Sequence, residues 1–93
     1  MKFLWDEKKN LDNIKKHGLS FIQALPAFSD SLRKEYYDDK HSGFGEERFL
    51  LAGFAENSVL LISFTEPEIE TVRIISARRA TNHETEVLYN GNG

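Results

Sequence analysis

The spacing of apolar and polar residues changes period several times along the chain, and each change marks an element. Residues 2–5 alternate weakly and predict a short strand. Asp6 then offers a helix cap, Lys8 to His17 favour helix, and Gly18 supplies a C-terminal stop. Within that helix Leu11 and Ile14 predict a narrow inward stripe, while Lys9 and Lys16 share another face. Ser20-x-x-Gln23 reads as a capping box, with Leu19 placed to staple against Ala24, so a second helix is expected from Phe21. Pro26 lacks a backbone donor and predicts a kink or an early end near Phe28.

The period then shortens to two. Leu32 to Tyr37 is a charged, half-apolar run suited to a sheet edge, and residues 38–45 are polar with two glycines, which predicts a loop. Phe49 to Phe54 and Val59 to Thr65, parted by Glu56-Asn57-Ser58, predict a hairpin of two central strands. After a turn expected over residues 66–70, Thr71 to Ser76 alternate, with Val72 and Ile74 on one face and Arg73 and Ile75 on the other. Thr81-x-x-Glu84 is a second capping box and predicts a last helix through Tyr89, with residues 90–93 frayed. The order β-α-α-β-β-β-β-α around a mostly antiparallel sheet defines an α+β fold, expected as a single domain over residues 1–93.

Composition narrows the chemistry. A chain of 93 residues, 40% hydrophobic and 29% charged, has the material for a core, and a domain of this size buries roughly 60–70% of its unfolded surface. The absence of cysteine excludes a disulfide framework, a thiolate zinc site and a cysteine nucleophile. No signal-like or bilayer-length apolar segment occurs, so a cytoplasmic location with no membrane is expected. The net charge of −3 has the wrong sign for general nucleic-acid binding, which would therefore need a local basic patch.

Three places supply candidate residues. Arg78 and Arg79 lie where the last strand meets the last helix, near backbone N–H groups that favour anions. The competing reading for either is an ion pair with Glu66, Glu68, Glu70 or Glu84. Lys15-Lys16-His17 closes the first helix as a cationic cap, or with Lys9 forms a phosphate-binding strip in which His17 carries protons. His41 sits in the polar loop ahead of Glu46-Glu47-Arg48, so a His–carboxylate pair across the loop is geometrically available. His17, His41 and His83 lack metal-ligand spacing, so no metal is proposed. Ser20 and Thr81 read as caps rather than nucleophiles, and Tyr36, Tyr37 and Tyr89 are the aromatic candidates for base stacking.

Trp5-Asp6 with Lys9, Asn13, Lys16-His17-Gly18, Phe21, Ala24 and Phe28, then Asp38, His41, Glu47-Arg48-Phe49, Gly53 and Phe64-Thr65, and finally Arg73 to Thr81, read together resemble the BrnT family of bacterial toxins. The resemblance implies a RelE-like fold and a metal-independent ribonuclease, without cofactor, that arrests translation. It also implies a BrnA-type antitoxin, bound in a heterotetramer or larger complex, through which alone the protein meets DNA. RNA, free or on the ribosome, would be the substrate. Under it Arg78, with Arg79 or Arg73, stabilises the phosphate; His41 or His17 and Glu47 are candidates for proton transfer; and Lys9, Lys16 and Arg48 join Arg73 and Arg79 in holding RNA. Relatives continue the Ala-Arg-Arg-Ala-Thr segment into a basic helix, whereas residues 82–86 here are mildly acidic. That departure motivates a second reading, a catalytically degenerate module acting through antitoxin binding and operon control.

Overall fold

The computed structural model describes residues 1–43 and 45–91, so Phe44 of the polar loop and the fraying expected of residues 92–93 lie outside the described residues. The chain forms β1 (Lys2–Leu4), α1 (Glu7–His17) and α2 (Phe21–Ala24), which runs on as a 3-10 turn, Leu25–Ser29. Then come β2 (Lys34–Tyr37), β3 (Arg48–Ala55), β4 (Ser58–Glu68), β5 (Thr71–Arg79) and α3 (Asn82–Glu84), which widens into a π-helical turn, Thr85–Tyr89. The strands lie in the order β1-β5-β4-β3-β2, antiparallel throughout except for the parallel pair β1–β5. This is the α+β architecture that the pattern predicts, with β2 at an edge.

Local chemistry explains the boundaries. Asp6 accepts hydrogen bonds from the backbone of Lys8 and Lys9, and Gly18 ends α1 at φ 67°, a left-handed conformation that glycine adopts without steric cost. Both predicted capping boxes form, Ser20 with Gln23 and Thr81 with Glu84. Pro26 falls in the first turn of the 3-10 segment, where its missing donor is harmless. Glu56 and Asn57 both take positive φ, which makes the β3–β4 connection a two-residue turn whose twist matches the strands.

Two expectations are corrected. Leu11 and Ile14 do not face inward: they are 55% and 40% exposed, and Asn10 and Asn13 are the buried residues of α1. The reason lies in the backbone that α1 covers. β1 pairs with β5 only as far as Arg73, so the edge of β5 beyond it carries unpaired polar groups. Asn13 Nδ2 donates to the carbonyls of Leu19 and Ala77, each at 2.8 Å, and its Oδ1 accepts from the Ala77 amide at 3.1 Å. Asn10 Oδ1 accepts from the Phe21 amide at 2.8 Å. Leucine could satisfy none of these groups.

The second correction concerns β4 and β5, which are longer than predicted. β4 runs to Glu68, leaving only Ile69 and Glu70 in the turn, and β5 runs to Arg79 rather than stopping at Ser76. Ser63 pairs with Ser76 and Phe64 with Ile74, so Ile75 is an extra residue, a β-bulge. Residues directly opposite on neighbouring strands share a face. Arg73, opposite Thr65, and Arg78, opposite Leu61, therefore emerge on one face, while Val72, Ile74 and Ala77 are buried on the other.

On that inner face Leu19, Phe21, Ala24 and Ala27 pack against Leu51, Leu60, Ile62, Phe64, Val72 and Ile74. Each large side chain so buried stabilises the fold by about 1.5–3 kcal/mol. Gly53 lets the 3-10 turn approach: a Cβ there would stand 2.5 Å from the Ala27 carbonyl oxygen. On the outer face Ala52 and Leu61 are buried, and the C-terminal helix is fastened by the Tyr36 hydroxyl, which donates to the Leu88 carbonyl at 2.6 Å. Lys34 Nζ donates to the Tyr89 carbonyl, and the Tyr89 hydroxyl donates to Asp30. That bond pushes the Tyr89 phenol up to about 12. Tyr36 and Tyr89 are thus engaged in holding the helix, while Tyr37 is exposed and meets Phe49 edge to face.

Candidate functional site

Strands β3, β4 and β5 bring Arg48, Thr65 and Arg73 into one row on the outer face. Beside this row lies a cleft of about 420 Å³, with Gly45 to Glu47 on one wall and Thr65 to Pro67 and Arg73 on the other. A second cleft, of about 370 Å³, runs from Leu4 to Asp6 and Lys9 up to Arg73, Ile74 and Ile75. Arg73 lines both. It is exposed, and among the described residues it forms no ion pair. The Thr65 hydroxyl, in the first cleft's wall, is buried without a hydrogen-bond partner among the described residues.

The loop between β2 and β3 reaches this same end of the sheet. Ser42 Oγ clasps it, donating to the Asp38 carbonyl at 2.7 Å and accepting from the Arg48 amide at 2.9 Å. The pair with Glu46 or Glu47 that the loop made available to His41 does not form; its partner is Asp38, whose Oδ2 lies 2.9 Å from the ring Nδ1. Glu46 instead pairs with Arg48, Oε1 to Nε at 3.3 Å, and Glu47 stands exposed in the cleft wall. Among the described residues no three His, Asp or Glu side chains gather as a metal-binding group.

Arg78 occupies a different position. Its two terminal nitrogens meet the two carboxylate oxygens of Glu84 at 2.8 and 2.7 Å, a bidentate pair. Glu84 Oε1 also accepts from the Thr81 amide, so the start of α3 is closed by its own side chains rather than left open to an anion. The Arg78 hydrogen bonds hold the Glu84 carboxyl down to about 2. Arg79 is exposed one residue further on. His17, at the far end of α1, has its pKa lowered by burial and then by the charges of Lys16 and Arg78.

The sequence candidates therefore divide. Lys9, Arg48, Glu47 and Arg73, with the loop that carries His41, gather at one end of the sheet. Lys16, His17, Arg78 and Arg79 lie at the other, roughly 15 Å away along β5 at a strand's rise per residue. Thr65 and Asp38 were absent from the candidates. An Asp three residues before a histidine in a polar loop was a readable signal for Asp38; Thr65 stood in the family-like pattern, but nothing there gave it a role.

A five-stranded, mostly antiparallel sheet with helices on both faces and an exposed arginine where two clefts meet defines an α+β class, and comparison with known proteins gives the family. The family model described as the ribonuclease toxin BrnT of type II toxin-antitoxin systems matches residues 5–84. The chain belongs to this family, and so to the toxins of type II systems. A solved structure, the Brucella abortus ribonuclease toxin BrnT, is similar at 27% identity with a TM-score of 0.68, over 88% of this chain and 99% of that one. Among curated proteins none matches. No helix among the described residues is long and apolar enough to cross a membrane.

Proposed function

We propose that this toxin is an endoribonuclease that cleaves cytoplasmic RNA without a metal ion, inhibits translation, and is neutralised by a BrnA-type antitoxin. The observation that carries the reading is the guanidinium of Arg73, without an ion-pair partner among the described residues, at the junction of two clefts, with Lys9 in one and Glu47 in the other. RNA brings its own nucleophile, the 2′-hydroxyl, so the protein has to supply proton transfer and a cation for the charge that develops on phosphorus. Arg73 is the cation. Lys9 and Arg48 extend the positive path, and Glu47 and His41 supply proton transfer. On this reading Arg78 fastens the C-terminal helix.

The test compares Arg73→Ala with the parent chain. The parent is expected to arrest growth, cleave RNA in purified form or on ribosomes, and be rescued by co-expressed antitoxin. Arg73→Ala, still folded, is expected to lose about 10²–10³-fold in cleavage rate, the usual effect of removing one group that stabilises transition-state charge. Cleavage by Arg73→Ala at the parent rate would sink the assignment; parent protein that leaves RNA intact under both conditions would sink the activity.

One observation favours the degenerate module instead. Glu84 neutralises Arg78, and the segment it belongs to is acidic. A chain that binds the antitoxin tightly yet is harmless when expressed alone would decide for that reading.

A further inference from the structure

We infer that Asp38 is the positioning residue of His41, holding its imidazole in the one tautomer that can act as a base toward RNA. The inference rests on the ribonuclease reading and adds to it a role for Asp38, a residue of the family-like pattern to which the resemblance gives no role and which lines neither cleft.

The two oxygens of Asp38 do separate work. Oδ1 caps the short 3-10 turn Asp39–His41 by accepting from the His41 amide at 3.3 Å, while Oδ2 meets His41 Nδ1 at 2.9 Å. The second contact is not needed for the cap. An ionised carboxylate can only accept, so Nδ1 must carry the hydrogen whenever the ring is neutral. The lone pair is then on Nε2, which among the described residues has no partner. The imidazole is 64% exposed, whereas Asp38 is largely covered at 23%. A covered carboxylate behind an exposed ring is the arrangement that orients a general base and stabilises it once protonated.

The loop is built to keep the ring there. Ser42 ties the Asp38 carbonyl to the Arg48 amide, and the Asp38 amide itself donates to the Arg48 carbonyl at 2.8 Å. Asp38 is thereby anchored to the first residue of β3, whose side chain stands in the row with Thr65 and Arg73. Gly43 and Glu46 close the loop by mutual backbone bonds at 2.9 and 3.0 Å, and its far limb, Gly45 to Glu47, is a wall of the cleft.

In the step this assigns, Nε2 takes the proton of the 2′-hydroxyl as the 2′-oxygen bonds to phosphorus. The bond from phosphorus to the 5′-oxygen breaks, and that oxygen takes a proton from solvent water. The products are a 2′,3′-cyclic phosphate and a 5′-hydroxyl, and the imidazolium returns its proton to the hydroxide left behind.

Asp38→Asn is the discriminating variant, because asparagine caps helical turns as well as aspartate does but also presents an N–H to Nδ1. Single-turnover cleavage of a short single-stranded RNA is measured beside the ¹⁵N tautomer signature of His41, using the full chain. Asp38→Asn is expected to lose at least about 10²-fold in kcat, in the range of general acid–base contributions, with KM within about threefold. Its His41 signature is expected to move toward the tautomer protonated on Nε2. Adding His41→Ala to Asp38→Asn is expected to cost little beyond His41→Ala alone. Full activity in Asp38→Asn, an unchanged tautomer, or strictly additive losses would overturn the pairing while leaving the ribonuclease reading intact. A parent chain inert toward RNA would overturn that reading and this role with it.

Discussion

The side-chain amide of Asn13 completes the edge of the sheet by bonding both backbone groups of Ala77, 64 residues away in sequence. It takes over where β1 stops, and its third bond, to the Leu19 carbonyl, ties the α1–α2 connection to the same point. Asn13→Ala would strand several buried backbone groups at once. A loss of about 2–4 kcal/mol is expected, since each unsatisfied buried group costs about 1–3 kcal/mol. Urea unfolding of the variant checks it, and a midpoint equal to the parent's would show that water replaces the amide freely.

The pair Arg78–Glu84 predicts a pH dependence. Glu84 titrates at about 2 in the folded chain against an ordinary value of 4.5. A depressed carboxyl contributes stability that is fully present above its unfolded value and is lost as pH falls through the folded one, here between about pH 4.5 and 2. The pair is partly exposed, so its worth at neutral pH is about 1 kcal/mol after solvent screening. In Glu84→Gln the acid limb of a stability–pH curve is expected to flatten over that window. Superimposable curves for variant and parent would show that the pair contributes nothing.

Lys9 and Lys16 occupy the same face of α1, about 10 Å apart along the axis, yet only Lys9 lines the cleft with Arg73. Lys9→Ala is expected to weaken RNA binding and to reduce the slope of log affinity against log salt by about 0.7, the value for one phosphate contact on a single strand. Lys16→Ala is expected to leave the slope unchanged. Equal effects from both would place RNA along the whole helix rather than across the end of the sheet.

Legibility in the sequence followed the range of the interaction. Asp6, Gly18, Ser20 with Gln23, and Thr81 with Glu84 act within a few residues, and each marks its boundary correctly. The apolar runs of β3 and β4, parted by a short polar turn, likewise read directly as a central hairpin. The inward face of α1 did not, because a polarity pattern assumes that buried means apolar, whereas this helix covers a strand edge that needs hydrogen-bond partners. Arg78 and Arg73 look like one basic centre in sequence, but strand geometry sets them at opposite ends. The choice between phosphate and Glu84 as the ligand of Arg78 depended on where α3 docks, which no local signal fixes. His41 was visible as a candidate; that Asp38 rather than Glu47 would face it depended on how the loop folds back.

The bulge at Ile75 has a consequence for how this segment tolerates length changes. Arg73 and Arg78 are an odd number of positions apart, so in an unbroken strand they would have opposite parity, one toward solvent and one toward the core. The inserted residue restores the same parity. Deleting Ile75 itself would remove the bulge and leave the two arginines four apart on one face, whereas a single deletion elsewhere between them that keeps the bulge would turn a guanidinium toward Leu60 and Ile62. β5 therefore has a two-residue reading frame, and Ile75 sets its phase.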